Sequence, residues 1–138
     1  MTRDPRSLRV LLVEDDPDGA ESLMLLLQRF GHQVSVARDG PTAIRLASAD
    51  VPDLMLVDLG LPGMDGCELV RRARQTPALR GVWLVALTGF GRDEDRRLTR
   101  AAGFDLHLLK PVDPEHLRKL LDRHSRHQRP SNAVGMTA

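Results

Sequence analysis

"LMLVDLGLPGMDG", residues 54–66, carries an apolar run into a single aspartate, Asp58, and then breaks into glycine and proline where a helix could have begun. A short continuous apolar run bounded by turn residues reads as a strand buried on both faces, the kind found in parallel sheets covered by helices. An ionised carboxylate at the end of such a strand is unfavourable unless something pairs with it. Its partners must therefore come from elsewhere in the chain.

The same grammar extends in both directions. Upstream, "LRVLLV" (8–13) is a strand and "PDGAESLMLLLQRF" (17–30) a helix with Leu23, Leu26, Leu27 and Phe30 on its inward stripe and Gly31 as its stop. "QVSVA" (33–37) and "GPTAIRLASA" (40–49), with Pro41 at a first-turn position, form the next pair. Downstream come the helix "GCELVRRARQ" (66–75), the strand "VWLVALT" (82–88) and the charged helix "GRDEDRRLTRAAG" (91–103), whose apolar side is narrowed to Leu98, Ala101 and Ala102. "DLHLLK" (105–110) is the fifth strand. "DPEHLRKLLDRH" (113–124) is the last helix, capped by Asp113, with Leu117, Leu120 and Leu121 facing inward. Five strands alternating with five helices predict a single α/β domain, doubly wound, over residues 7–124. The remaining "SRHQRPSNAVGMTA" (125–138) has no periodicity and is expected to be a disordered tail.

Bulk properties agree with one ordinary domain: 138 residues, 41% of them hydrophobic, suffice for one core and leave no room for a second. A net charge of +1 shows neither a nucleic-acid footprint nor an acidic tail. One cysteine, Cys67, excludes an internal disulfide and a thiolate zinc cluster and reads as a packing residue. No apolar stretch approaches the roughly 18 residues of a membrane span. The expectation is a soluble, cytoplasmic protein without a membrane partner.

In an open parallel sheet, ligands bind beyond the carboxyl ends of the strands. Those ends carry Glu14, Asp15 and Asp16 after the first strand, Asp58 after the third, Thr88 after the fourth and Lys110 after the fifth. Acids in the first loop would repel a pyrophosphate, so a dinucleotide site is disfavoured. Converging carboxylates instead call for a cation, and a donor set of hard oxygens favours Mg2+ held by one or two carboxylates, a backbone carbonyl and waters. Lys110 and the Thr88 hydroxyl add donors for phosphoryl oxygens. Such a clamp suits phosphoryl transfer, with Asp58 as nucleophile and an acyl phosphate as product.

"LLVEDD", "LVDLGLPGMDG", "ALTG" and "LLKP", in this order and spacing, resemble the receiver domain of two-component response regulators over about residues 7–124. The resemblance implies the flavodoxin-like strand order 2-1-3-4-5 and a signalling domain rather than an enzyme, with self-catalysed phosphotransfer and slow autodephosphorylation. Asp58 matches the phosphoacceptor, Asp15 a direct metal ligand, Glu14 an acid acting through metal-bound water and the Gly60 carbonyl a third protein ligand. Asp16 falls one place beyond the acidic pair and is left out. Thr88 and Lys110 match the phosphoryl-binding pair, and the bond before Pro111 matches one that is usually cis. Pro62, Gly63 and Gly66 shape the loop after Asp58, and Gly60 and Phe90 flank the site where water would reach the acyl phosphate.

His107 stands where the family commonly has Tyr or Phe, a side chain that swings inward on phosphorylation; the expectation is that it follows Thr88. Met24 and Leu25 lie off the inward stripe of the first helix, near which the family's phosphodonor docks, and are the expected contact for a sensor histidine kinase or histidine phosphotransfer protein. The protein target is unknown. Glu115 stands where DNA-binding regulators often have arginine, so a monomer or hetero-complex without direct nucleic acid binding is expected. Two rivals remain at this point. One is a haloacid-dehalogenase-like Mg-dependent phosphatase, for which Asp16-Pro17-Asp18 offers the required spacing. The other is a pseudo-receiver that binds partners without phosphorylation.

Overall fold

A computed structural model describes residues 7–61, 64–89 and 93–126, with the side chains of 93–96 and 125–126 left aside. Pro62, Gly63, Phe90 and residues 127–138, all assigned roles or a state above, lie outside the described residues. The elements alternate as β1 (Arg9–Val13), α1 (Pro17–Arg29), β2 (Gln33–Ala37), α2 (Gly40–Ala49), β3 (Leu54–Asp58), α3 (Gly66–Gln75), β4 (Trp83–Thr88), α4 (Asp93–Ala102), β5 (Leu106–Leu109) and α5 (Pro114–Arg126), with one 3-10 turn at Pro77–Leu79. The strands form one five-stranded sheet in the order β2-β1-β3-β4-β5, every pairing parallel.

The continuous apolar runs are explained by two cores, one on each face. Leu11, Val13, Met55, Val57, Leu84 and Ala86 pack with α2 and α3, while Val10, Leu12, Leu54, Leu56, Val85, Leu87 and Leu108 pack with α1 and α5. Alternate residues of one strand thus enter different cores, which is why no polar residue interrupts β1, β3 or β4 before its end. Burying one such leucine fully stabilises the fold by roughly 1.5–3 kcal/mol.

Aspartates start the helices. Asp16, Asp39 and Asp65 each accept a hydrogen bond from the backbone N–H three residues on, at Gly19, Thr42 and Glu68. Asp113 does the same for α5 by accepting from the Glu115 N–H at 3.1 Å. Gly31 (φ 96°) and Gly103 (φ 121°) end α1 and α4 in the left-handed region, where paired hydrogen bonds back to the last turn close the helix.

Three expectations need correcting. In α4 it is Thr99 and Ala102 that are buried, whereas Leu98 is 59% exposed and Ala101 also faces solvent. Among the described residues the helix packs mainly against α3 and β5, and its inward stripe is narrower than three apolar residues. In α1, Leu25 is exposed but Met24 is half-buried, because the inward arc through Leu23, Leu26 and Leu27 is wide enough to catch its edge. α5 runs through Arg126, two residues past the boundary read from sequence, since helical hydrogen bonding needs no apolar residue in its last turn.

Candidate functional site

Parallel strands bring all their carboxyl ends to one edge, and the sheet's own hydrogen bonds hold the polar residues there. The Glu14 N–H donates to the Ala37 carbonyl at 2.9 Å, the Leu59 N–H to Leu87 at 3.1 Å, and the Lys110 N–H to Thr88 at 2.8 Å. Backbone pairing thus extends to or past each functional residue. Alternation then sorts the side chains: Glu14, Asp58 and Lys110 follow the α1/α5 face, while Thr88 and His107 follow the face covered by α3 and α4.

On the first face, Lys110 Nζ lies 3.2 Å from Asp58 Oδ2 and 3.1 Å from Glu14 Oε1. The Gly60 N–H donates to Asp58 Oδ1 at 3.1 Å, which seats the turn after β3 beside the carboxylate. One oxygen from each of Glu14, Asp15 and Asp58 lies within 4.8 Å of the others, Glu14 buried, Asp58 half-buried and Asp15 exposed. An all-oxygen set with one open side fits a hard divalent cation that keeps several waters. Asp16 is engaged as the α1 cap, and the Lys110–Pro111 peptide bond is cis.

The two carboxylates differ in their hold on a proton. Burial pushes Glu14 up, and its hydrogen bond with Asp58 adds to the rise against the pull of Lys110. Asp58 is also pushed up by burial, but hydrogen bonds from Glu14, the Gly60 N–H and Lys110 outweigh that and leave it below its ordinary value. Lys110 is held above its ordinary value: desolvation opposes the charge and the two carboxylates more than restore it. Without a cation, a proton shared by the pair is held more tightly by Glu14 than by Asp58.

Thr88, 4% exposed, ends β4 on the other face. His107 is half-buried in register with Ala86, one same-face position short of Thr88. A groove of about 350 Å3, whose walls include Leu23, Leu26, Pro111 and Val112, opens onto Glu14 and Lys110. Sequence reasoning missed the groove and the Lys110–Glu14 pair; the latter joins residues 96 apart and leaves no local signal.

The chain matches the family model of the response regulator receiver domain over residues 10–122. It belongs to that family. The receiver is 37% identical over 115 residues to the uncharacterized 14.6 kDa protein in the sodA1 3' region of Leptolyngbya boryana, covering 83% of this chain and 88% of that one. It is 36% identical over 107 residues to Response regulator PleD of Caulobacter vibrioides, covering 78% of this chain but only 24% of PleD. Among solved structures, the receiver domain of sensor histidine kinase PA1611 from Pseudomonas aeruginosa PAO1, with a magnesium ion coordinated in its active-site cleft, superposes with a TM-score of 0.81 at 31% identity, covering 88% of this chain and 99% of that one. The protein is thus a phosphoacceptor signalling domain of two-component systems. Neither rival reading is favoured, and the Asp16 of the phosphatase-like spacing is occupied as a helix cap. Among the described residues no helix is long and apolar enough to cross a membrane.

Proposed function

We propose that Asp58 accepts a phosphoryl group from a phosphohistidine of a sensor histidine kinase or histidine phosphotransfer protein. The observation that carries this reading is the three-way contact of Asp58, Glu14 and Lys110 at the strand ends. An Asp58 oxygen forms the new P–O bond as the P–N bond to the donor imidazole breaks, the electron pair returning to the ring nitrogen. Lys110, already within 3.2 Å of Asp58, moves from carboxylate to phosphoryl oxygen, and the Thr88 hydroxyl donates to another. Mg2+ would be held by Asp15, Asp58 and the Gly60 carbonyl, with Glu14 acting through bound water, and would offset the charge building on the transferred group. Slow loss of the phosphoryl group to water returns the domain to rest.

His107 is the proposed follower of Thr88, since both occupy one face of neighbouring strands; equal partner affinity of phosphorylated His107→Tyr and His107→Ala would remove it from that role. The donor's helix docks on exposed Leu25 and the edge of Met24, beside the groove that leads to Lys110. The domain works as a cytoplasmic monomer that meets an unknown protein target rather than nucleic acid.

The deciding experiment is intact mass after acetyl phosphate and Mg2+. Wild type should gain one phosphoryl group and Asp58→Asn none. Labelling of both proteins, or of neither, overturns the assignment, and turnover of a generic phosphate monoester would restore the phosphatase reading.

A further inference from the structure

The two loops that carry the proposed metal ligands both meet a third segment, which carries none. Glu14 and Asp15 follow β1, Gly60 lies in the loop after β3, and the junction of β2 and α2, residues 37–40, touches both loops. On one side the Ala37 carbonyl accepts the Glu14 N–H at 2.9 Å. On the other, Met64 of the β3–α3 loop seats its side chain on Gly40, the first residue of α2. A Cβ at residue 40 would lie 2.5 Å from Met64 Sδ, 3.0 Å from its Cγ and 3.1 Å from its Cβ. Met64 is only 8% exposed and Gly40 is buried, so the contact is closed to solvent.

The fit leaves the loop little slack. Swinging Sδ aside relieves the first of those contacts, but Cγ and Cβ stay crowded, and Cβ moves only with the backbone of residue 64. At its far end the loop closes on the residue that bears the nucleophile: a Cβ at Gly66 would meet the Asp58 carbonyl oxygen at 2.9 Å and Leu59 Cα at 3.0 Å. Asp65 is committed as the α3 cap. Leu61, 6% exposed and next to Gly60, shares the core of Met64 under α2 and α3. A close-packed interior transmits strain, so a displaced Met64 is passed back toward Leu61 and Gly60, because the α3 side is already fixed. Alanine forms helix more readily than glycine, and a methyl at residue 40 would favour α2 were Met64 not above it.

We propose that Gly40 is a positioning residue for the divalent cation: the hollow left by its missing side chain seats Met64 and so sets the place of the Gly60 carbonyl relative to Glu14 and Asp15. The inference rests on the reading of Gly60 as a metal ligand and extends control of the site to α2, which contributes no ligand.

Two measurements on the full chain test this, one with Mg2+ and one without. In a calorimetric titration Gly40→Ala should weaken Mg2+ binding by about tenfold, the scale for disturbing groups that orient a metal's ligands. Met64→Ala, which empties the hollow, should weaken it less, by about threefold. The double variant Gly40→Ala/Met64→Ala should bind Mg2+ more tightly than Gly40→Ala, because the new methyl then has room. In the metal-free protein the Gly60 amide resonance should move in Gly40→Ala and return toward its wild-type position in the double variant. Circular dichroism checks that each variant is folded; if Gly40→Ala is not, Met64→Ala and the double variant carry both comparisons. Wild-type Mg2+ affinity in folded Gly40→Ala or Met64→Ala, no recovery in the double variant, or resonance changes confined to residues 40 and 64 and their chain neighbours would each overturn the inference. Absence of Mg2+ binding by the wild type would count against the metal assignment instead, and the metal-free resonances would still decide whether Gly40 sets the place of Gly60.

Discussion

The two ends of the sheet treat their charges in opposite ways. At the amino end, the Arg74 guanidinium is tied to three backbone carbonyls as well as to Asp105, and the buried His32 accepts the Leu8 N–H on Nδ1 at 2.9 Å. At the carboxyl end, the Lys110 ammonium is held by two side chains, Glu14 and Asp58, and remains 37% exposed. To leave its place the mostly buried Arg74 must give up five hydrogen bonds at once and strand buried carbonyls, whereas the more exposed Lys110 gives up two side-chain contacts in a single rotamer change. One end is therefore built to stay put, and the other can trade a carboxylate for a phosphoryl oxygen or a cation without disturbing the fold.

That contrast breaks if substitutions at the two ends have the same consequence. Lys110→Ala should slow phosphoryl uptake from acetyl phosphate by about 100-fold or more, the usual scale for deleting a donor to developing charge, while shifting the urea midpoint little because the pair is partly exposed. A slowing of less than a few-fold in a mass time course would place Lys110 outside the chemistry. Arg74→Met should do the reverse, lowering unfolding free energy by about 3 kcal/mol because Asp105 loses the partner of a mostly buried charge, while uptake on Asp58 continues in the folded fraction.

Leu25→Glu sharpens the picture at the site end. It should slow transfer from a phosphohistidine donor by roughly tenfold more than transfer from acetyl phosphate, as expected for one contact at a docking surface. Equal slowing by both donors would move the docking face elsewhere.

The smallest expected effect belongs to His32. Burial holds its imidazole below the ordinary value of 6.5, with Asp122 pulling the other way. A group whose folded-state pKa is depressed takes up its proton in the unfolded chain first, so stability is complete above pH 6.5 and declines as pH falls through the window down to the folded value. Urea unfolding between pH 7.5 and 5.5 should show that slope, and His32→Gln should flatten it; an unchanged slope would assign the pH dependence to other groups.

How far the sequence carried depends on the range of the interaction involved. Strand and helix positions were legible because alternating cores write continuous apolar runs into β1, β3 and β4, and because Asp113 could be read as the cap of α5; that Asp16, Asp39 and Asp65 cap α1, α2 and α3 in the same short-range way went unread. The carboxyl-end residues were legible too, since a polar side chain closing an apolar strand shows its position by itself. α4 misled because a charged helix with scattered alanines and one leucine fits more than one inward face, and packing against α3 and β5 chose Thr99 and Ala102.

Local pattern alone thus determined the five-fold alternation, the edge at which Glu14, Asp15, Asp58, Thr88 and Lys110 gather, and the chemistry those donors suit. Only the tertiary structure decided that Lys110 bridges Asp58 and Glu14, that Thr88 and His107 take the other face, and that Arg74 ties the far end of α4. The physical reason is reach. Periodicity and caps are satisfied within a few residues, whereas these contacts join segments brought together by strand register and sheet order, which no stretch of chain encodes separately.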